Sequence, residues 1–225
     1  MEPEWFIKNT HFYDKYPRDV KVFSGEYAAH DRDVAKLEHR NNWWSALAEA
    51  AFLTGVERNA DVVYLASYAP LFARIGYTQW GPDLIWFDDA TCYGTPNFYV
   101  QKMFREYTGT ITLHSELEKG EENLVFHVVS LDEEDKKVYI KLVNAAEEER
   151  NLSLQLSGEL LTCLGKSVKV EKTILHAELK EVNSVNTPTQ IVPKKETVVS
   201  KNLSHFELVL PRQSFTVLTI SGEPE

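Results

Sequence analysis

The chain has 225 residues, with 34 acidic and 24 basic side chains, and therefore a formal net charge of −10. Hydrophobic residues make up 43% of it and charged residues 26%, which excludes an intrinsically disordered chain and indicates one or two globular domains. An acidic surface repels nucleic-acid phosphates, and no apolar run reaches the roughly 18–20 residues of a membrane helix, so we expect neither a nucleic-acid nor a membrane partner.

The N-terminal segment has neither the basic start nor the apolar centre of a signal peptide, so it assigns no compartment. It is instead crowded with aromatic residues: Trp5, Phe6, Phe12, Tyr13 and Tyr16. Because a free terminus is usually polar, we interpret Met1 as an internal start within a longer parent protein. We expect the segment through Tyr16 to have no fixed position, or to dock on the C-terminal half of the chain, for want of its natural neighbours.

The first predicted elements are a strand, a helix and a second strand. Residues 20–27 and 62–69 are short apolar runs, the second apolar on both faces, as in a parallel sheet. Between them, Asn41 or Asn42 can cap a helix, and Gly55 is predicted to end it. The three elements together predict a strand–helix–strand unit with parallel strands.

A second helix is predicted to open at Thr95 and Pro96, since a hydroxyl cap followed by proline is a typical helix start. The aromatic stretch before it, with Trp80 and Trp86, is predicted to be a loop. Two parallel strands alone would have unpaired edges and uncovered faces, so we expect further strands to come from elsewhere. We also expect the isolated chain to associate with itself.

The second half changes character near Gly109. Short apolar runs alternate with charged turns, a pattern typical of an antiparallel sandwich; the runs are 124–131, 138–143, 152–156, 174–179, 206–210 and 215–220. We therefore predict an α/β domain over residues 1–107 and an all-β sandwich over residues 108–225.

Common catalytic and cofactor motifs are absent from the sequence, including glycine-rich phosphate loops and zinc-binding His-Glu patterns. Cys92 and Cys163 form no pair with ligand spacing, and the seven histidines are scattered, so we expect no metal and no cofactor. Asn151 and Asn202 lie in glycosylation acceptor patterns, which matter only for a secreted eukaryotic protein.

Glu26 stands out because it lies at the carboxyl end of the first predicted strand, beside Gly25 and Tyr27. In a β/α barrel that end of the strands faces the active site, so a carboxylate there has a catalytic interpretation. The Tyr27 hydroxyl could orient that carboxylate. The alternative is a solvated glutamate, or one paired with an arginine, and the strand pattern alone favours this alternative by about two to one.

Several blocks of the chain resemble one known family, in the same order. They are KVFSGEYA at 21–28, AEAAFLTGVERN at 48–59, ASYAPLF at 66–72, WGPDLIWFD at 80–88, YGTP at 93–96 with VQKMF at 100–104, and, further on, Asn183, Ser184, Pro188, 192–194, 210–211 and 214–218. The family is the α-L-arabinofuranosidases of glycoside hydrolase family 51, and the resemblance covers nearly the whole chain.

The resemblance implies a (β/α)8 barrel followed by a jelly-roll-like β-sandwich, and hydrolysis of terminal α-L-arabinofuranosyl residues with retention of configuration. It implies that Glu26 is the nucleophile on the seventh barrel strand. The residues themselves, and not the resemblance, make Tyr27 a candidate substrate contact. Trp80 either stacks on a sugar or packs against the sandwich, and the sequence leaves both open. The substrate would be an arabinose-containing glycan, and the resemblance also implies homo-oligomers.

The sequence lacks the motif that would supply the second catalytic carboxyl group. The family's acid/base glutamate follows an asparagine on the fourth strand, and this sequence has no Asn-Glu dipeptide. Because general acid help contributes about 10²–10⁴-fold, we expect the chain alone to be inactive or nearly so. If the isolated chain were nevertheless active, a local residue such as Asp31 or Glu38 would have to be considered as the proton donor.

A second function class is a non-catalytic carbohydrate-binding or interaction module built on the sandwich. Against it, a pure binding module has no need of the α/β segment that ends in Glu26. The sandwich also lacks an evident row of exposed aromatic residues, since Phe126, Tyr139, Phe206 and Phe215 have the pattern of core residues.

Overall fold

The structure is a computed structural model that describes residues 1–156, 160, 164, 168–198 and 206–222, with the backbone alone at 121, 197 and 198. The chain divides into two compact units. The first contains Met1–Phe104 and His176–Val192, and the second contains Arg105–Leu175 and Pro193–Glu225. Residues 176–192, which the predicted boundary groups with the sandwich, thus join the first unit. Cys163, His205 and the acceptor pattern at Asn202 lie outside the described residues.

The first unit contains three α-helices and two small sheets. The helices are α1 (Pro3–Lys8), α2 (Trp43–Arg58) and α3 (Pro96–Glu106, which runs two residues past the unit), with a 3₁₀ turn at Leu37–His39. The strands are β1 (Val22–Tyr27), β2 (Val63–Tyr68), β3 (Phe72–Arg74), β4 (Ile85–Phe87) and β5 (Cys92–Gly94).

Strands β1 and β2 form a two-stranded parallel sheet, joined through α2, so the predicted strand–helix–strand unit is confirmed. Helix α2 begins where the sequence indicated, because the Asn42 side chain accepts a hydrogen bond from the Ser45 amide, 3.1 Å away. Helix α3 also begins as predicted, with the Phe98 amide donating to the Thr95 hydroxyl oxygen.

The prediction that Gly55 ends α2 is wrong, since the helix continues to Arg58. Gly55 instead lets another segment approach closely: a Cβ atom at this position would lie 1.8 Å from the carbonyl oxygen of Thr10. Whether a glycine ends a helix or allows a close approach can therefore be decided only when the segment that crosses it is known.

The aromatic N-terminal segment has a fixed position on α2, which corrects the expectation that it is mobile or docks on the sandwich. Its rings surround Phe52 of α2, with centroid distances of 5.3 Å from Phe6, 5.7 Å from Trp5 and 6.3 Å from Tyr13. Phe6 is fully buried. The α2 side of the unit thus supplies the apolar partner that the sequence left unidentified.

The prediction of an aromatic loop holds for Trp80, which lies between β3 and β4, but is wrong for Trp86, which belongs to a sheet of three short strands, β3-β4-β5. Trp86 of β4 is fully buried there, packed with Ala73 and Tyr93. The segment 176–192 contributes to the same unit: the Asn183 amide donates to the carbonyl oxygen of Gly94 at 2.9 Å. Short strands of three residues give too little alternation to be recognised in a sequence.

The second unit consists of antiparallel strands, as predicted. They are β6 (Ile111–Leu113), β7 (Val125–Asp132), β8 (Lys137–Asn144), β9 (Arg150–Leu154), β10 (Val168–His176), β11 (Lys194–Val198), β12 (Phe206–Leu210) and β13 (Ser214–Gly222), with a 3₁₀ turn at Glu121–Asn123. The order β11-β10-β13-β8-β7-β6 makes one sheet, and β12-β9 another.

Side chains of both sheets share one apolar core. Val129 and Leu218 belong to the six-stranded sheet, and Leu208 and Leu210 to the two-stranded one. Phe126, Tyr139 and Phe215 are buried as expected, and Phe206 packs against the core. The predicted β-sandwich is therefore confirmed, although β6 and β11 were not expected and β10 begins at Val168 rather than near Ile174.

Candidate active site at the end of strand β1

Glu26 is the second-last residue of β1 and therefore lies at its carboxyl end, as the sequence predicted. Its side chain is exposed. Within the described part of the chain, the carboxylate has no hydrogen bond and no ion pair, so the alternative of an arginine-paired structural glutamate does not apply there. An unpaired carboxylate at a strand end is free to meet a ligand or water.

The side chain of Tyr27 is buried, and its hydroxyl bonds to helix α3. The residue is 4% exposed, and its hydroxyl donates to Oε1 of Gln101 in α3 at 2.7 Å. Burial is the main reason that the pKa of the Tyr27 hydroxyl is raised. The hydroxyl is therefore directed at α3, and none of the hydrogen bonds described for it goes to Glu26.

A second carboxyl group, Glu49 of α2, lies fully buried beneath the end of β1. Its Oε1 accepts from the Ala29 amide at 2.6 Å, and its Oε2 accepts from Nε2 of Gln101 at 3.2 Å. Burial raises the pKa of Glu49 to about 8, against the lowering effect of these hydrogen bonds. Sequence reasoning missed Glu49, since a glutamate on a helix normally indicates the solvent face.

A third carboxyl group, Asp83, lies between β3 and β4 and was also missed. Its amide donates to Oδ1 of Asn41 at 3.1 Å, while Nδ2 of Asn41 donates to the Tyr68 hydroxyl at 2.6 Å. Asp83 is 2% exposed, and its buried Oδ2 has no partner among the described residues. Burial raises the pKa of Asp83 to about 6. The clue in the sequence is an aspartate directly after a Gly-Pro pair.

His30 ties the end of β1 to the loop that carries Trp80. Arg32 donates to Nε2 of His30 at 2.9 Å, which leaves Nδ1 to donate to the Gly81 carbonyl oxygen, 3.2 Å away. Burial is the largest cause that lowers the pKa of His30, to about 4, so the ring is neutral at pH 7.

Trp80 is 64% exposed and held in a defined turn. Its amide donates to the Thr78 hydroxyl oxygen at 3.1 Å, and that hydroxyl donates to the Trp80 carbonyl oxygen at 3.0 Å. These hydrogen bonds fix the backbone of residue 80, and the exposed indole is a surface on which a sugar ring can stack.

The local proton-donor candidates are engaged elsewhere. Burial would raise the pKa of Asp31, but hydrogen bonds from Lys180 at 2.5 Å and Asn42 at 2.8 Å outweigh it and lower that pKa. Glu38 has a lowered pKa as well, since backbone and Lys36 interactions outweigh burial. Both carboxyl groups are therefore ionised at neutral pH and unsuited to donate a proton.

In the part of the chain that the structure describes, no helix is both long and apolar enough to cross a bilayer. Over the same residues, no group of His, Cys, Asp and Glu side chains has the arrangement of a metal site. Cys92 is an exposed free thiol.

A model of the C-terminal domain of α-L-arabinofuranosidases matches residues 25–214, which include Glu26. Alpha-L-arabinofuranosidase 2 of Arabidopsis thaliana is 34% identical over 221 residues, 97% of this chain and 32% of that protein. The extracellular exo-α-L-arabinofuranosidase of Streptomyces chartreusis is 49% identical over 108 residues, 48% of this chain and 12% of that protein.

Among solved structures, the arabinose-bound α-L-arabinofuranosidase MgGH51 superposes with a TM-score of 0.86 and 31% identity, over 99% of this chain and 36% of that one. The arabinose complex of the Thermotoga maritima α-L-arabinofuranosidase, at 19% identity and a TM-score of 0.74 over 96% of this chain and 47% of that one, shares the fold. The chain spans about a third of the length of the Arabidopsis relative.

Proposed function

The chain belongs to the family of α-L-arabinofuranosidase C-terminal domains, and from this premise we propose that it is part of a retaining enzyme that removes terminal α-L-arabinofuranosyl residues from arabinose-containing glycans. The observation that carries the proposal is Glu26: an exposed, unpaired carboxylate at the carboxyl end of a parallel strand, inside the matched region.

In this proposal Glu26 is the nucleophile. Its carboxylate attacks the anomeric carbon, a glycosyl ester forms, and the glycosidic bond breaks as the leaving oxygen takes a proton from a second carboxyl group. Water then attacks the ester from the leaving-group side, with the second group acting as base, so the configuration is retained.

We infer that the second carboxyl group comes from outside the described part of this chain. Retention needs two carboxyl groups about 5–5.5 Å apart, one of them protonated when substrate binds. Asp31 and Glu38 have lowered pKa values. Asp83 and Glu49 have raised pKa values, but Asp83 is only 2% exposed and Glu49 is fully buried, so neither carboxyl group can reach a glycosidic oxygen.

We also propose that residues 1–107 are the last β/α units of a (β/α)8 barrel, and that the sandwich of residues 108–225 is of the jelly-roll type. Two observations support the barrel. Strands β1 and β2 are parallel, and parallel sheets are normally covered on both faces. Here Phe23 and Leu65, which are register partners, are 61% and 62% exposed, so a further layer of strands or side chains is expected over them.

This exposed pair gives a prediction for the isolated chain. We expect it to self-associate at high concentration through Phe23 and Leu65, and Leu65→Lys should shift it toward monomer because a charge opposes burial of that face. Light scattering over a concentration series measures the change. Val209→Lys, at a 48% exposed valine of β12, is the matched control and should have little effect. A monodisperse wild-type monomer at every concentration would contradict the prediction.

Trp80 is proposed as a stacking surface for the glycan. Its support is the exposed indole, the two hydrogen bonds with Thr78, and the link from Gly81 to His30, four residues beyond Glu26. A backbone segment that is ordered before the ligand arrives loses less entropy on binding. Tyr27 is not included, because its hydroxyl is already used by Gln101.

A hybrid enzyme tests the proposed function. In it, this chain replaces the matched third of Alpha-L-arabinofuranosidase 2 from Arabidopsis. We expect the hybrid to hydrolyse an aryl α-L-arabinofuranoside with retention, while the 225-residue chain alone stays inactive because it lacks the proton donor. Product configuration is read by NMR during the first turnovers.

A folded but inactive hybrid would overturn the proposal, as would full activity of the isolated chain. If the hybrid does not fold, a smaller exchange tests the same point. Residues 22–31 of this chain replace their counterparts in the same relative, so that only the strand that carries Glu26 and the four residues after it are changed. A folded but inactive exchange variant would count equally against Glu26.

A further inference from the structure

The strand that carries Glu26 is irregular at that residue. Ser24 pairs with Ala66 and Tyr27 pairs with Tyr68, so two residues of β1, Gly25 and Glu26, lie opposite the single residue 67 of β2. This is a β-bulge, which interrupts the ladder and redirects a side chain. Regular strand pairing therefore does not fix the direction of Glu26, and some other contact has to do so.

That contact comes from the helices beneath the strand. Besides the pairing of Tyr27 with Tyr68, two hydrogen bonds to helix side chains hold the residues on the far side of the bulge. The Tyr27 hydroxyl donates to Gln101 at 2.7 Å, and the Ala29 amide donates to Glu49 at 2.6 Å. Gln101 then donates to Glu49 at 3.2 Å and joins these two hydrogen bonds. These linked hydrogen bonds thus hold the chain at Tyr27 and Ala29, one and three residues after Glu26.

Stability alone gives a poor account of this arrangement. Glu49 is fully buried between alanines of α2, and Ala48, Ala50 and Ala51 are fully buried as well. Burying a carboxyl group is costly unless it is well hydrogen-bonded, and an apolar side chain of similar size often serves stability as well or better. Oε1 of Glu49 accepts from Ala29 at the strand end and Oε2 from Gln101 of α3, so both hydrogen bonds go to groups outside α2.

We propose that Glu49 and Gln101 are positioning residues that set the direction of Glu26 by fixing Tyr27 and Ala29. This inference rests on the proposed role of Glu26 as nucleophile. Neither residue touches the substrate. They act on the chemical step, since a reacting atom misplaced by about 1 Å can cost on the order of 10²-fold in rate.

Kinetics of the hybrid enzyme test the proposal. Glu49→Met, which removes both acceptors and keeps much of the volume, should lower kcat by about 10- to 100-fold and change KM less than about threefold. Gln101→Met, at a half-buried site that better tolerates change, should act in the same direction. Glu49→Gln should restore most of kcat, because its amide oxygen still accepts from Ala29 and the Gln101 amide can turn over.

Thr54→Val is the control for simple destabilisation. Thr54 is also a fully buried polar residue of α2, but its hydroxyl donates only within the helix, to Ala51 at 2.7 Å. We expect this variant to leave kcat unchanged. An unchanged kcat in both methionine variants would overturn the proposal, and so would an equal loss in Thr54→Val.

A second measurement separates this inference from the proposed function. In the 225-residue chain, hydrogen exchange at the amides of residues 25–27 should accelerate at least about tenfold in Glu49→Met and stay unchanged in Thr54→Val. No change at these amides would overturn the positioning role even if Glu26 is the nucleophile. Turnover that survives Glu26→Ala would instead overturn the proposed function and leave the exchange result standing.

Discussion

Replacing Glu26 by alanine in the hybrid enzyme should abolish turnover, with a fall in kcat of more than about 10⁴-fold. The nucleophile makes a covalent bond that no other described carboxylate at the end of β1 can form, and losses of this size are usual for catalytic nucleophiles. Folding should be unaffected, because Glu26 is exposed and makes no contact in the described chain that its removal would break.

Azide gives the sharper readout of the same variant. The anion can enter the space left by the carboxylate and attack the anomeric carbon, while the activated aryl oxygen leaves without needing a proton. The product is a glycosyl azide of inverted configuration, detected by NMR. Glu4→Ala, at an exposed glutamate of α1, is the matched control and should keep full activity without azide. A retained product, or no loss of activity in Glu26→Ala, would show that Glu26 is not the nucleophile.

Gly55→Ala should destabilise the first unit by about 3 kcal/mol or more, the upper end for overpacking. In an ordinary helix the same change stabilises by about 1 kcal/mol, so the predicted sign is opposite to that of helix propensity. The reason is the Thr10 carbonyl oxygen, which lies 1.8 Å from the position of the new methyl group and cannot rotate away.

Tryptophan fluorescence during urea unfolding measures this effect selectively, because all five tryptophans lie between Trp5 and Trp86, in the first unit. Gly81→Ala is the control, since its methyl group would meet Leu37 at an ordinary 3.4 Å. A Gly55→Ala midpoint at or above the wild-type value would mean that the N-terminal segment does not cross α2 as closely as described.

The sequence by itself determined the local parts of this protein. The starts of α2 at Asn42 and of α3 at Thr95 depend on capping groups within three residues of the cap, and the parallel strands and most sandwich strands follow from apolar runs bounded by turns. Glu26 could be selected for the same reason, because the end of a strand is visible in its pattern. These features depend on interactions between residues that are close together in the chain, so they can be predicted from the sequence.

Only the tertiary structure decided what depends on distant segments. Gly55 has the local appearance of a helix end until Thr10 is known to cross it, and only the fold shows that the Tyr27 hydroxyl donates to Gln101, 74 residues away. Glu49 was missed because a glutamate on a helix normally faces water, whereas here its partner is the Ala29 amide, 20 residues away. Burial, close approach and long-range hydrogen bonds arise when the chain folds back on itself, and no local pattern encodes them.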